Sequence, residues 1–192
     1  MTTHKFFIRL ISTLAILTSV LASTASATVV IGLDKQTLVR DSDAVVIGKV
    51  VSIASYREKD TSIWTATRID VTRVLRGRIS KGIYLLKQPG GTLDGVYRRV
   101  PGVAGFALNE TVLLFLESHA SRGHVVMGMA QGKFTVVRDK TSQRMLAYRD
   151  LSDLTLVRRA DSGRYTTLSP IEVKPYFYLD ELIKAVLNSA KK

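Results

Sequence analysis

The chain has 192 residues, of which 28 are basic and 16 acidic, so its formal net charge at pH 7 is +12. It contains no cysteine, which excludes disulfides, thiolate metal sites, thiol nucleophiles and a lipid anchor on an N-terminal cysteine. The positive charge either favours polyanionic partners or only serves solubility. Because the basic residues are spread along the chain, solubility is the simpler interpretation.

The first 27 residues have the three parts of a secretory signal peptide. Lys5 and Arg9 make a positive start, residues 10–22 form a mostly apolar run, and Ala25-Ser26-Ala27 gives a small-x-small cleavage site. A membrane anchor is the alternative, but the run is shorter than the roughly 20 apolar residues that a span needs. The sequence therefore predicts cleavage before Thr28, export to the periplasm or the extracellular space, and no transmembrane anchor in the mature chain.

Residues 28–192 are predicted to form a single domain, long enough to bury a core without cross-links. A short helix over 33–42 comes first, with Asp34 as its N-cap. β-branched residues and period-two alternation then predict a series of strands, and Gly48 in the first of them indicates a bulge or bend. The predicted strands are 44–56, 62–75, 83–87, 111–117, 124–129 and 133–138, with short additions at 144–149 and 154–158.

An amphipathic helix over 179–190 ends the chain, because apolar residues recur there at helical spacing. Two long strands with a mid-strand bend, then shorter strands and this helix, favour an all-β fold with a C-terminal helix. The architecture expected from that order is a closed antiparallel OB-like β-barrel with the helix packed at one end. A β-sandwich is the alternative.

Residues 89–106, PGGTLDGVYRRVPGVAGF, are rich in glycine and are predicted to be a long irregular loop. Loops of that length in compact domains are usually functional or mobile. Basic and aromatic side chains surround the segment, and OB barrels bind extended ligands near such loops by charge and stacking. The candidate binding residues are Arg76, Arg78, Lys87, Tyr97, Arg98, Arg99 and Phe106. A solvated basic loop without a ligand is the competing interpretation.

Three segments together resemble the netrin-like domain, the OB-type barrel of the tissue inhibitors of metalloproteinases. Asp43–Val50 is similar to the family's opening strand and Val74–Gly77 to the end of its second strand. Asn109–Leu116 resembles the turn that leads into its buried fourth strand. A further likeness, carried by Gly128–Phe134 and the glycine-rich segment, is to uncharacterised exported bacterial proteins.

The resemblance implies a netrin-like barrel that binds a protein, with a secreted metalloprotease as the partner that the family suggests. The inhibitors bind the protease zinc through an N-terminal cysteine and are cross-linked by disulfides. This chain would begin at Thr28 after cleavage and has no cysteine. The fold therefore carries over from the resemblance, and the inhibitory mechanism does not.

The sequence contains no recognisable catalytic motif. Outside the leader the only histidines are His119 and His124, which flank a predicted turn and lack further metal ligands. The GxSxG elbow, the HExxH helix and a phosphate-binding loop are absent. We therefore predict a non-enzymatic domain without metal or cofactor, and a hydrolase with an unfamiliar site is the least favoured alternative.

The predicted function is binding of an exported protein, such as a secreted protease, through the segment 89–106. The alternative is a polyanion- or carbohydrate-binding module that uses the same basic and aromatic side chains. Nucleic acid is not an expected partner, because an exported protein seldom meets it. The sequence leaves the partner and the oligomeric state open.

Overall fold

The computed structural model describes residues 28–189, and the predicted signal peptide lies outside the described residues. The described strands are β1 (Thr28–Ile31), β2 (Ala44–Arg57), β3 (Ile63–Arg76), β4 (Gly82–Pro89), β5 (Gly91–Leu93), β6 (Val96–Arg98), β7 (Thr111–His119), β8 (Gly123–Val126), β9 (Lys133–Arg138), β10 (Met145–Tyr148), β11 (Leu154–Arg159), β12 (Tyr165–Thr167) and β13 (Tyr176–Tyr178). The helices are α1 (Lys35–Asp41), α2 (Pro170–Val173), α3 (Leu179–Ser189) and a short 3-10 helix over Met129–Gly132. A mostly β domain with a C-terminal helix is therefore confirmed.

Eight strands form the central sheet, seven of them in the order β13-β10-β9-β7-β2-β3-β4, while β8 pairs with β7. A smaller sheet has the order β1-β11-β12, in which β1 and β11 run parallel. The β5–β6 hairpin stands apart as a third sheet. No sheet among residues 28–189 closes into a barrel, so the closed OB-like barrel is wrong, and the layered sheets fit the sandwich alternative.

The sheet stays open between β4 and β8, which do not pair. The predicted strand over 124–129 ends at Val126, since Gly128 and Met129 adopt left-handed φ angles of 60° and 65° and lead into the 3-10 helix. Across the gap, the Tyr84 hydroxyl and Nδ1 of His124 lie 3.1 Å apart. Side chains therefore bridge β4 and β8 where a closed barrel would have a ladder of backbone hydrogen bonds.

The two faces of the central sheet each carry a hydrophobic core. Alternation along β7 turns Leu113 and Phe115 towards α1 and α3, in what we call the helix-side core. Val112, Leu114 and Leu116 point to the opposite face, in what we call the open-side core. The open-side core is also built from Ile69 of β3 and Leu86 of β4, all fully buried.

Several local predictions are confirmed. Asp34 caps α1 by accepting a hydrogen bond from the N–H of Thr37 at 2.7 Å. The β2–β3 register shifts between Ile47 and Gly48, and a Cβ on Gly48 would lie 2.6 Å from the carbonyl oxygen of Asp70. The bulge at Gly48 therefore lets the two long strands approach closely.

Other elements were not predicted, and each is short. β1, β12, β13 and α2 span three or four residues, too few for a periodic pattern to stand out. The predicted loop 89–106 is not irregular throughout, because its first half is the β5–β6 hairpin. None of the helices between residues 28 and 189 is long and apolar enough to cross a membrane.

Candidate binding cleft

A cleft of about 750 Å³ opens on the sheet face that carries the open-side core. Its floor is formed by side chains of β2, β3 and β9, and its walls by the β5–β6 hairpin, the segment that follows it, and residues 148–153. The volume lies in the range of about 300–1,000 Å³ typical of ligand sites. We call this feature the cleft.

The β5–β6 hairpin in the cleft wall is closed by a two-residue turn. Asp94 and Gly95 have φ angles of 52° and 73°, and Leu93 pairs with Val96 on either side. Positive φ at both central residues defines the type I′ turn that Asp-Gly favours in hairpins. Asp94-Gly95 was the sequence signal for this hairpin, but it lies in a glycine-rich segment that was predicted to be an irregular loop.

Glycine is required where the hairpin touches the sheet. A Cβ on Gly91, whose φ is 137°, would lie 2.4 Å from Oγ1 of Thr65 and 2.5 Å from Oγ of Ser55. The Thr92 N–H donates to Ser55 Oγ at 3.2 Å, and the Thr65 hydroxyl donates to the carbonyl of Gly90 at 2.7 Å. Close packing on β2 and β3 therefore accounts for Gly91, and a Cβ on Gly90 would lie 2.8 Å from the carbonyl oxygen of Arg98 in β6.

A charged network forms one wall of the cleft. Nζ of Lys133 lies 3.0 Å from Oε2 of Glu110 and 2.8 Å from Oγ1 of Thr135, which itself donates to Glu110 at 3.1 Å. Glu110 also accepts from the N–H of Ala107 at 2.9 Å, and the ammonium lies 5.3 Å from the Phe106 ring centroid. The side chains of Lys133 and Glu110 are only 12% and 11% exposed. Both charges are thus satisfied internally, and the network ties the segment after the hairpin to β9.

The floor of the cleft carries a row of hydroxyl groups on one face of β2 and β3. Ser55 and Thr65 are opposite each other in the ladder, with their side-chain oxygens 3.4 Å apart. Thr67, two residues further along β3, is completely buried, and its hydroxyl has no hydrogen-bond partner among the described residues. Because Thr67 is completely covered, the hydroxyls that this row presents to the cleft are those of Ser55 and Thr65, which are partly exposed.

The charged lining of the cleft is balanced. It consists of Arg98, Arg99, Lys133, Glu110, Asp150 and Asp153. Arg99 forms an ion pair with Asp153 at the rim. The N–H of Ser152 donates to Asp150 at 3.0 Å and lowers the pKa of that carboxyl, which is therefore ionised at neutral pH. With three cations and three anions, the lining as a whole is neutral.

Four of the seven predicted binding residues line the cleft together: Tyr97, Arg98, Arg99 and Phe106. Tyr97 on β6 is 69% exposed, so its ring is available to a ligand. Phe106 is half-buried against the open-side core, so it also has a packing role. The glycine-rich segment therefore does bring part of the predicted set to one concave surface.

Arg76, Arg78 and Lys87 do not line the cleft. The Arg76 guanidinium donates to the carbonyls of Val39 and Ser42 and to the hydroxyl of Ser189, so it ties β3 to both helices of the opposite face. Lys87 lies on the outward side of β4, with its ammonium 5.9 Å from the Tyr56 ring centroid. Arg78 is exposed in the turn after β3. Their closeness to the loop in sequence did not translate into closeness in space.

Sequence reasoning missed the polar centre of the cleft, namely Ser55, Thr65, Glu110, Lys133 and Thr135. Lys133 and Thr135 alternate with buried Phe134 in β9, and that polar–apolar pattern was the available signal. Nothing in the sequence indicated that Glu110, at the end of a turn, would face Lys133. That pairing depends on β7 lying next to β9 in the sheet.

The predicted turn histidines do not assemble a metal site. His119 lies beside Ser121 and Arg122 in the turn between β7 and β8, while His124 faces Tyr84. Burial raises the pKa of the Tyr84 hydroxyl. Among residues 28–189, no three His, Cys, Asp or Glu side chains are grouped so that they could hold a metal ion.

No protein-family model matches the chain, and no curated protein matches it. The likeness to the netrin-like domain therefore stays a prediction. The function has to be inferred from the fold and from the geometry of the cleft.

Proposed function

We propose that this domain is a non-enzymatic binding module that holds an extended segment of another exported protein in the cleft. The observation that carries the proposal is the open edge of β6 at the cleft wall. Because Leu93 and Val96 flank the turn as a hydrogen-bonded pair, the next pair, Thr92 and Tyr97, has its backbone groups directed outward. The N–H of Thr92 is taken by Ser55, whereas β6 pairs with no strand other than β5 within residues 28–189.

An edge of this kind supports recognition by strand addition. An extended peptide gains main-chain hydrogen bonds from an exposed strand edge, and neighbouring side-chain pockets give specificity. Val100, Val103 and Phe106 supply an apolar wall beside β6.

The charge of the cleft argues against a polyanion as the ligand. Arg99 and Lys133 are both paired with carboxylates, which leaves Arg98 as the cleft cation with no ion pair in the described part of the chain. A polyanion would also meet Asp150 and Glu110 at close range. Positive charge elsewhere on the chain serves solubility in this proposal.

A neutral carbohydrate is the second candidate, because two tyrosine rings stand exposed on the lining. Tyr97 and Tyr148 are 69% and 41% exposed, and hydroxyl and amide side chains lie between them on the floor. Such amphipathic rings present an apolar face together with a polar group. We prefer the peptide because only an extended peptide would form main-chain hydrogen bonds with the free edge of β6.

Photo-crosslinking tests the proposal and separates the two ligands. A photoreactive phenylalanine analogue at Tyr97 should crosslink a polypeptide from the exported proteins of the source cell. The matched control is the same analogue at Tyr165 on β12, which is 63% exposed but lies outside the cleft lining. Crosslinking to glycan alone would favour the carbohydrate. Equal yields at both positions would refute the cleft as the site.

A substitution pair completes that test. Tyr97→Ala should lower partner capture at least tenfold without changing the melting temperature, because the exposed ring contributes little to folding. The double change Arg98→Ala and Arg99→Ala should lower capture only slightly. Phe106→Ala is less informative, since it also removes packing from the open-side core.

Export, the netrin-like relationship and a secreted metalloprotease as partner belong to the same proposal. The five-strand order β4-β3-β2-β7-β8 supports the relationship, since all five strands contribute to the open-side core and side chains of β4 and β8 are in contact. The N-terminal residue of chain recovered outside the cytoplasm should be Thr28 or a near neighbour. An intact leader on a membrane-held product would contradict export.

A further inference from the structure

A second, smaller pocket lies behind the segment that follows β10. It has a volume of about 300 Å³ and is distinct from the cleft, although Asp150 and Ser152 border both. Most of its lining is aliphatic: Leu151, Leu154, Leu156, Leu168 and Val173. Its charged lining residues are Arg149 and Asp150. Asp150 is exposed at the border with the cleft, whereas Arg149 is buried, so Arg149 is the one that needs an explanation.

Arg149 is a buried cation, only 3% exposed. One guanidinium nitrogen, Nη1, donates to the carbonyls of Leu33 and Gln131 at 3.0 and 3.3 Å. The other, Nη2, donates to the carbonyl of Val173 at 2.8 Å. Carbonyl oxygens satisfy hydrogen bonds, but they do not neutralise the charge, and no carboxylate of residues 28–189 forms an ion pair with it.

The hydrogen-bonding capacity of Arg149 is also incomplete. Its Nε is buried and has no partner among the described residues. Burial lowers the pKa of this guanidinium to about 10, and only the distant charge of Asp34 acts in the opposite direction. Buried charges in proteins are normally paired, because an isolated one is strongly disfavoured in a low-dielectric interior.

We propose that this pocket binds a monocarboxylate with an unbranched apolar chain, held by its carboxylate at Arg149 and by its chain among the leucines. A carboxylate that reached Nε would supply both the missing acceptor and the missing negative charge. The aliphatic lining would cover the chain and remove it from water.

The size of the pocket selects the length of the ligand. Its volume lies at the lower end of the range for ligand sites, about 300–1,000 Å³, so the fitting class is a medium-chain fatty acid and not a long one. A charged or polyhydroxylated chain would leave its polar groups unpaired against leucine side chains. This site is independent of the peptide cleft, and neither proposal depends on the other.

Calorimetric titration with octanoate tests the proposal, with octan-1-ol as the uncharged control of the same chain. Octanoate should bind with one site per chain, about ten- to a hundredfold more tightly than octanol, as expected for a charge-assisted hydrogen bond. Two variants locate the site. Leu151→Trp fills the pocket from its rim, and Arg149→Lys keeps the charge but removes Nε, so each should weaken octanoate binding at least tenfold.

The cleft variant Tyr97→Ala provides the matched control and should bind octanoate like the wild type. Circular dichroism and a cooperative melt establish that each variant is folded, and if Arg149→Lys does not fold then Leu151→Trp decides the outcome. Absence of octanoate binding by the folded wild type would overturn the proposal. Equal affinity for octanol, or unchanged affinity in folded Leu151→Trp, would also overturn it.

Discussion

The two faces of the central sheet are built from the same strands, yet one is closed and the other is open. On β9, Phe134 and Val136 point into the helix-side core, while Lys133 and Thr135 point into the cleft. The Phe134 ring packs edge to face on Phe115, with centroids 5.8 Å apart. The helix-side face of β9 is therefore packed against other apolar side chains, whereas its open-side face lines the cleft.

The difference between the two faces shows where the central sheet can tolerate polar groups. Where α1 and α3 cover the sheet, the alternating residues are apolar and buried. On the open side the apolar positions end at Ile69 and Leu86, and hydroxyls and charges continue along the same strands to the cleft. Substitutions on the open side should thus have effects that fall steeply from the open-side core towards the hairpin.

The largest effect is expected from a charge in the open-side core. Leu114→Asp places a carboxylate at a fully buried position without a partner, which costs several kcal/mol and should prevent folding. Ile83→Asp is the control, because that residue is 64% exposed on β4 and the change should cost less than about 1 kcal/mol. A cooperative thermal melt of Leu114→Asp would show that the open side is not a packed core.

A smaller effect is expected from the charged network at the cleft wall. Lys133→Met leaves Glu110 nearly buried without its cation and should lower the free energy of unfolding by about 2 kcal/mol. Adding Glu110→Gln should restore part of that loss in urea titrations. The exposed pair of Arg40 and Asp41 is the control, and Arg40→Met should change stability by less than about 0.5 kcal/mol. If Lys133→Met and Arg40→Met lowered the free energy of unfolding equally, the Lys133–Glu110 pair would be as exposed to solvent as a surface ion pair.

The smallest of these effects is the difference in stability between two glycine variants of the hairpin, about 1 kcal/mol. Gly91→Ala combines an unfavourable φ with a clash against Ser55 and Thr65, so it should cost about 1–3 kcal/mol and displace the hairpin. Gly95→Ala also has positive φ but open space around it, so only the backbone cost, about 1 kcal/mol, should appear. Urea unfolding of both variants measures the difference. Identical costs would mean that the hairpin does not rest on the floor of the cleft.

Local chemistry in the sequence determined most of the secondary structure. Asp34 predicted the start of α1, Gly48 predicted the bulge in β2, and period-two alternation predicted the two long strands. These predictions succeeded because each effect acts between residues that are close together in the chain. The spacing of apolar residues likewise determined α3, which ends at Ser189. Tyr97, Arg98, Arg99 and Phe106 were found for the same reason, since one short segment carries all four.

Only the tertiary structure decided whether the sheet closes and what lies opposite the hairpin. Tyr84 of β4 contacts His124 of β8, yet the two strands share no backbone ladder, and no local sequence pattern records that outcome. Glu110 meets Lys133, and Arg149 becomes a buried cation, because strands distant in sequence become neighbours. Local propensity acts over a few residues, whereas burial and charge pairing depend on contacts that exist only after the sheet has formed.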